Sequence, residues 1–264
     1  MAPGHRVSIR LKVVLPYLLL TLVIAIRGVY VVSRLVINSL EERLKNYLYE
    51  AGRVVSDEIG RREIQQFIAG RNIAFTRGVG AALAEDDREA LIAVVKPAMA
   101  GANVENLVLV NSFGEEVLHL LRLPNNSIGE LTIPSGYANL PVVQDILLGN
   151  NVNSTPRRSL AVNAVDNRYY YCTVVPVPLE GKVVGAIVIS TSLDIVLPDL
   201  KSTSLADIII YGNSGNVLVT TLGSPITNSD LFQLLSISPE DYNAALITNE
   251  LIYGQNIIIS GREY

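Results

Sequence analysis

Apolar residues change their spacing twice along this chain, and each change predicts a different kind of element. From Val13 to Ser33 the segment VVLPYLLLTLVIAIRGVYVVS is apolar apart from Arg27 and a few hydroxyls. Helical residues rise about 1.5 Å each, so this segment spans about 30 Å, the hydrocarbon thickness of a bilayer. It predicts a transmembrane helix over 13–33, with Arg27 near one end reaching out to the interface. Beyond it, Leu40, Leu44, Tyr47, Ala51 and Val54 recur at spacings of 4, 3, 4 and 3 with charged residues between them. That is one apolar stripe on a helix. No proline interrupts the chain between Pro16 and Pro97, so a stalk helix is predicted to run on to about Thr76, with the stalk assigned to 34–80. Its stripe either forms the seam of a homodimer or packs along a sheet. Asp86 or Asp87 then caps a shorter helix, REALIAVVKPAM, that ends near Gly101.

From residue 105 the period shortens to that of strands. NLVLV and EEVLHLL flank the glycine turn NSFG and predict a hairpin. LPVVQDILLGN reads as a short helix closed by Gly149. RYYYCTVVPVPLEGKVVGAIVISTSL supplies two long strands joined at LEGK, rich in the branched and aromatic residues that suit a pleated surface. The expected fold class is therefore α+β, with antiparallel sheet behind a long helix.

The segment NLVLVNSFGEEVL at 106–118 is echoed by DIIIYGNSGNVLV at 207–219, an offset of 101 that sets Gly114 on Gly215. A second echo sets NRYY at 167–170 on GREY at 261–264, an offset of 94. One module used twice in series, the second with a shorter middle, accounts for both.

Charge and composition narrow the partners. A net charge of -4 gives no basic face for nucleic acid, and the single Cys172 cannot form an internal disulfide. Arg6, Arg10 and Lys12 precede the apolar span without an acidic residue among them, which predicts a cytoplasmic N-terminus and an extracytoplasmic remainder. No small-x-small cleavage site follows the span, which favours an anchor over a cleaved signal peptide. His5 and His119 have no partner histidine or cysteine at metal-site spacing, and no Gly-x-Ser-x-Gly elbow, P-loop or dinucleotide fingerprint occurs. Glu115 and Glu116 follow a turn, where solvated carboxylates are ordinary. No catalytic residue, metal or cofactor is expected.

The order of an N-terminal membrane helix, a long stalk and two hairpin-helix-hairpin modules with VNSFGEEVL, YGNSGNVLV and PVPLEGKVVGAIVISTSL resembles the double Cache sensor region of prokaryotic membrane receptors. The resemblance implies two PAS-like modules in tandem, here 81–195 (membrane-distal) and 196–264 (membrane-proximal), following a cytoplasmic segment 1–12. It implies a small-molecule ligand in the distal module, and a second membrane helix leading to a kinase, cyclase or chemotaxis output domain beyond residue 264. Since the chain stops at SGREY, where that pattern calls for two more strands, the second module is expected to be incomplete. The family's amine-recognising members carry an Arg-x-Trp-Tyr motif and an acidic residue on the last distal strand. This chain has no tryptophan and has Ser190 at that acidic position.

STPRRS at 154–159 falls where the family carries pocket residues, so the resemblance directs attention to Arg157 and Arg158, whose guanidinium forks suit a carboxylate. With aromatic cover, the expected ligand-binding set is Arg157, Arg158, Tyr137, Tyr169, Tyr171 and Ser190, for a small organic anion. Alternation along a strand lets only one tyrosine set face a pocket, and Tyr169 and Tyr171 are assigned to it over Tyr170. The alternative to a sensor is an anchored adhesion or scaffolding ectodomain without a small-molecule ligand.

Overall fold

A computed structural model describes residues 9–149, 151–153, 155, 157–222, 229–248, 258–259 and 262–263. His5, Arg6, Ser154, Pro156, and Gly261 and Tyr264 of the second echo lie outside the described residues. The chain divides into two compact units, Met1–Ala51 and Gly52–Tyr264. Helix α1, Ile9–Ala74, runs through both. In the first unit Leu18, Leu20, Ile24 and Val31 are each more than half exposed. Among the described residues α1 is the one helix long and apolar enough to cross a membrane, with a mean hydropathy of 2.0 in its apolar window.

In the second unit α1 ends at Ala74, two residues before the expected Thr76, and a short helix α2, Val79–Ala84, follows. Helix α3, Arg88–Gly101, is capped by Asp87, whose carboxylate accepts the Ala90 N–H at 3.0 Å. Strands β1 (Asn106–Asn111), β2 (Glu116–Arg122), β3 (Ile128–Leu131), β4 (Arg157–Val162), β5 (Tyr169–Leu179) and β6 (Lys182–Ser192) form one antiparallel sheet in the order β3-β2-β1-β6-β5-β4. Helix α4, Pro141–Gly149, lies between β3 and β4 in the chain. Two of these strands depart from the sequence reading. β3 is absent from the strands that the pattern predicts, and Arg157 and Arg158 sit on edge strand β4, which the pattern does not predict either.

The sheet has two buried faces. On one, Leu107, Leu109, Leu118, Leu120, Val175, Val177, Ile187 and Ile189 pack with Ala69, Ile73 and Ala74 of α1 and with α2 and α3. Gly70 permits this approach, since a Cβ there would lie 2.9 Å from Val175 Cγ2. On the other, Val108, Val110, Cys172, Val174 and Val188 pack with Tyr137 and with Val143 and Ile146 of α4. Burial of both faces explains why β1, β5 and β6 read as near-continuous apolar runs.

Helix α5, Leu193–Ser204, leads from β6 to the hairpin β7 (Ile209–Tyr211) and β8 (Val217–Thr220). Its Leu193, Val196, Leu197 and Leu200 pack with Val55 and Ile59 of α1, Tyr169 and Tyr171 of β5, and Ile208, Ile210 and Val219. Helices α6 (Ser229–Leu235) and α7 (Pro239–Thr248) follow, then the paired two-residue strands β9 (Ile258–Ile259) and β10 (Arg262–Glu263). The offset of 101 extends to backbone detail. Both hairpins shift register at the corresponding step, Leu109/Val110 and Ile210/Tyr211. The turn bonds Asn111 N–H to Glu115 C=O and Gly114 N–H to Asn111 C=O recur as Gly212 to Asn216 and Gly215 to Gly212. Gly114 and Gly215 both adopt positive φ, at 83° and 79°, which only glycine takes up without strain.

Candidate ligand site

Register brings together polar side chains that are far apart in the chain. Asn106 pairs with Leu121 and Ser190, Ser190 with Cys172, and Cys172 with Ser159, which sets a polar row across β1, β6, β5 and β4 on the face away from α1. His119 stands on the same face, paired with Val108. Asn106 and Ser190 are 0% exposed and His119 is 3% exposed. Tyr137 covers this row, with its hydroxyl 3.5 Å from Ser190 Oγ and its ring 6.4 Å from that of Tyr170 in an edge-on arrangement.

The turn that carries Tyr137 is held from β2. Glu116 accepts the Ser135 N–H at 2.6 Å, the Ser135 hydroxyl at 3.0 Å and the Ala138 N–H at 3.3 Å. The sequence reading treated Glu116 as a solvated carboxylate, whereas here it organises the Tyr137–Asn139 turn. Gln144 of α4 adds a bond to the Ala138 carbonyl at 2.8 Å. On the rim the Tyr170 hydroxyl donates to Asp166 at 2.8 Å.

His119 Nε2 lies 2.9 Å from Asn106 Oδ1 and Nδ1 lies 3.4 Å from the Ile133 carbonyl. A neutral imidazole donates from one nitrogen only. If Nδ1 donates to Ile133, the Asn106 amide must turn its NH2 toward Nε2, leaving its oxygen free. If Nε2 donates to the Asn106 oxygen, the amide nitrogen is the buried atom without a partner. Either way one Asn106 amide atom is unused inside the site. Burial lowers the pKa of His119 from 6.5, against the opposing pull of the Ile133 carbonyl, Glu116 and Asp166. Burial pushes the Cys172 thiol up to about 12 and the phenols of Tyr137 and Tyr170 above their ordinary 10.

A pH dependence follows from His119. The unfolded chain takes up a proton near pH 6.5 that the native ring resists, so this contribution is complete above pH 6.5 and is lost as pH falls through it. Glu105, raised by burial, acts in the opposite sense, losing stability as pH rises above 4.5. His119→Gln should therefore flatten the decline in unfolding free energy between pH 7 and 5 relative to the parent chain. Equal slopes in urea titrations would contradict the burial described.

The six residues expected from sequence do not form one site. Tyr137 and Ser190 meet on the face away from α1. Tyr171 and Arg158 point to the other face, where Glu63 of α1 lies 3.4 Å from the Tyr171 hydroxyl and 3.1 Å from the Arg158 guanidinium. Burial beside Glu63 pushes the Tyr171 phenol up to about 12. Tyr169 packs with α5. Arg157 pairs with Asp145 of α4 at 3.5 Å. Two corrections follow from strand alternation: adjacent Arg157 and Arg158 face opposite ways and cannot fork one anion, and Tyr170, not Tyr169 or Tyr171, shares the face of Tyr137. Asn106, His119 and Cys172 were missed. Their signal is a lone polar residue in an otherwise apolar strand, visible as a set only once the strands are in register. Among the described residues, no group of three or more histidine, cysteine or carboxylate side chains is arranged to hold a metal ion.

The family profile described as the double sensory domain of two-component sensor kinases, dCache_3, matches residues 41–238. The chain belongs to this double Cache family. The ligand-binding domain of the Pseudomonas fluorescens chemoreceptor CtaA, solved with L-serine, shares 17% identity and a TM-score of 0.53, over 84% of this chain and 88% of that one. The sensory domain of the Campylobacter jejuni chemoreceptor Tlp3, solved with isoleucine, shares 16% identity and a TM-score of 0.50, over 78% and 80%. No curated protein matches the chain. At these identities the two structures show a shared fold alone.

Proposed function

We propose that this chain is the extracytoplasmic ligand-sensing region of a membrane-anchored signalling receptor. A small organic molecule binds on the Tyr137 face of the distal module, and α1 carries the resulting displacement toward the bilayer to a kinase, cyclase or chemotaxis output. The N-terminus is cytoplasmic, and a second copy of the chain pairs along the stalk, where Leu40, Leu44 and Tyr47 are 61%, 58% and 44% exposed in the single chain.

One observation carries this reading: strand β5 serves both surfaces. Tyr170 and Cys172 face the candidate site. The alternate residues Tyr171 and Thr173 bond to Glu63 and Gln66 of α1, at 3.4 Å and 2.7 Å. A ligand that binds one arrangement of this face better than another shifts its population, and β5 transmits that shift to α1 without an intermediary. Two experiments test it. An exported phosphatase fused after residue 80 should be active and a cytoplasmic reporter at the same point inactive; the reverse would refute the topology. Tyr137→Ala should raise hydrogen exchange in α1 between Glu63 and Gly70 several-fold in an otherwise folded chain, and unchanged protection there would refute transmission through β5.

A further inference from the structure

The candidate site is built almost entirely from uncharged groups, and this inference rests on the sensing role proposed for it. We infer that Asn106, His119 and Ser190 select an uncharged ligand with an amide-like head, one that both donates and accepts hydrogen bonds, and that the site discriminates against carboxylates and amines alike.

Each arginine near the face already has a partner, and the carboxylate of Glu105, which acts on Tyr170, accepts the Ser192 N–H at 2.9 Å. Arg157 is paired with Asp145, Arg168 with Asp194, and Arg158 with Glu63 on the opposite side of the sheet. A carboxylate entering the row would therefore lose its hydration without meeting a free cation, with Glu116 and Asp166 close enough to act on His119. An ammonium fares little better. Glu116 is already engaged by Ser135 and Ala138, and Asp166 by the Tyr170 hydroxyl and the Arg168 N–H.

An uncharged amide meets neither obstacle. The unused Asn106 amide atom is buried in the row and is donor or acceptor according to the His119 tautomer, so an amide-like head complements it in either state. The Ser190 hydroxyl, 3.5 Å from Tyr137, supplies a second adaptable group once Tyr137 gives way. Val108 and Val188 beside the row suit a small apolar body. A site built to hydrogen-bond one head rejects analogues that leave its buried groups unpaired.

The test is calorimetric titration of the full chain in lipid nanodiscs with sets sharing one skeleton: propanamide, propanoate and propylammonium; benzamide, benzoate and benzylammonium; and uracil as a cyclic amide. An uncharged member should bind at least ten-fold tighter than the charged members of its set. Asn106→Leu and the milder Ser190→Ala should each weaken it ten-fold or more, while Arg157→Ala and Arg158→Ala should stay within two-fold. Asn106→Asp should turn the preference toward the ammonium member, which a merely structural asparagine would not do. A carboxylate or ammonium binding the parent chain more tightly than its amide overturns the inference and leaves the sensing role standing. Binding that ignores Asn106→Leu, Ser190→Ala and Tyr137→Ala together, or no binding by any set to the folded chain, overturns the sensing role of this face.

Discussion

Gly185→Ala should destabilise the chain by about 3 kcal/mol, the upper part of the range for forcing a methyl into a packed core. A Cβ at position 185 would stand 2.3 Å from the Val110 carbonyl oxygen and 2.5 Å from Leu83 Cδ2. The leucine can rotate, but the carbonyl belongs to β1, whose Asn111 pairs with Gly185. Relief therefore requires β1 and β6 to part at the centre of the sheet, between the two buried faces. Gly60→Ala is the matched control. It lies within α1 with nothing within 4 Å of its added carbon, and it should stabilise by about 0.8 kcal/mol through helix propensity. Urea unfolding of both variants checks the pair. A cost below about 1 kcal/mol for Gly185→Ala would mean that β1 and β6 approach less closely than described.

Gln66→Leu should cost about 2 kcal/mol, for a reason unrelated to size. Gln66 accepts from the Thr173 hydroxyl at 2.7 Å and donates to the Thr191 hydroxyl at 2.9 Å, so it joins α1 to β5 and β6 at once. Thr173 is 0% exposed, and without Gln66 its hydroxyl is left buried and unpaired. Replacing both partners by apolar residues of similar shape removes that penalty. The double variant Gln66→Leu with Thr173→Val should recover most of the loss, giving a coupling of about 1–2 kcal/mol in a double-mutant cycle. Additive effects would show that the two side chains act independently. Since this bond is one of two side-chain links from β5 to α1, the double variant should stay folded while the effect of Tyr137→Ala on hydrogen exchange in α1 is reduced.

Much of this architecture is legible in the sequence because burial imposes a period on it. The apolar run from Val13, the stripe from Leu40, the two glycine hairpins and the long β5–β6 pair all carry such a period. β4 does not. Its six residues RRSLAV lie at a sheet edge with one buried side chain, Ala161, so no alternation separates it from a loop. β3 and α2 are too short to show one. The candidate site is half legible, because Ser190 lies at a position that the family pattern marks and Tyr137 is among the aromatic residues expected to cover a pocket. Asn106 and His119 each read as one polar residue in a core strand. Only the pairing of Asn106 with Ser190 and of Val108 with His119 gathers them onto one face.

The division of labour along β5 also fixes a parity. Tyr170 and Cys172 serve one face while Tyr171 and Thr173 serve the other, so inserting a single residue at Tyr169, inside the pairing with β4 and β6, would exchange the two sets. Cys172 would then face Gln66, and Tyr171 would face Tyr137. A two-residue change would preserve the assignment. Length variation among functional relatives should therefore fall in the turn between Val162 and Tyr169, or be absorbed by the register shift at Val177/Pro178, beyond the residues that bind α1.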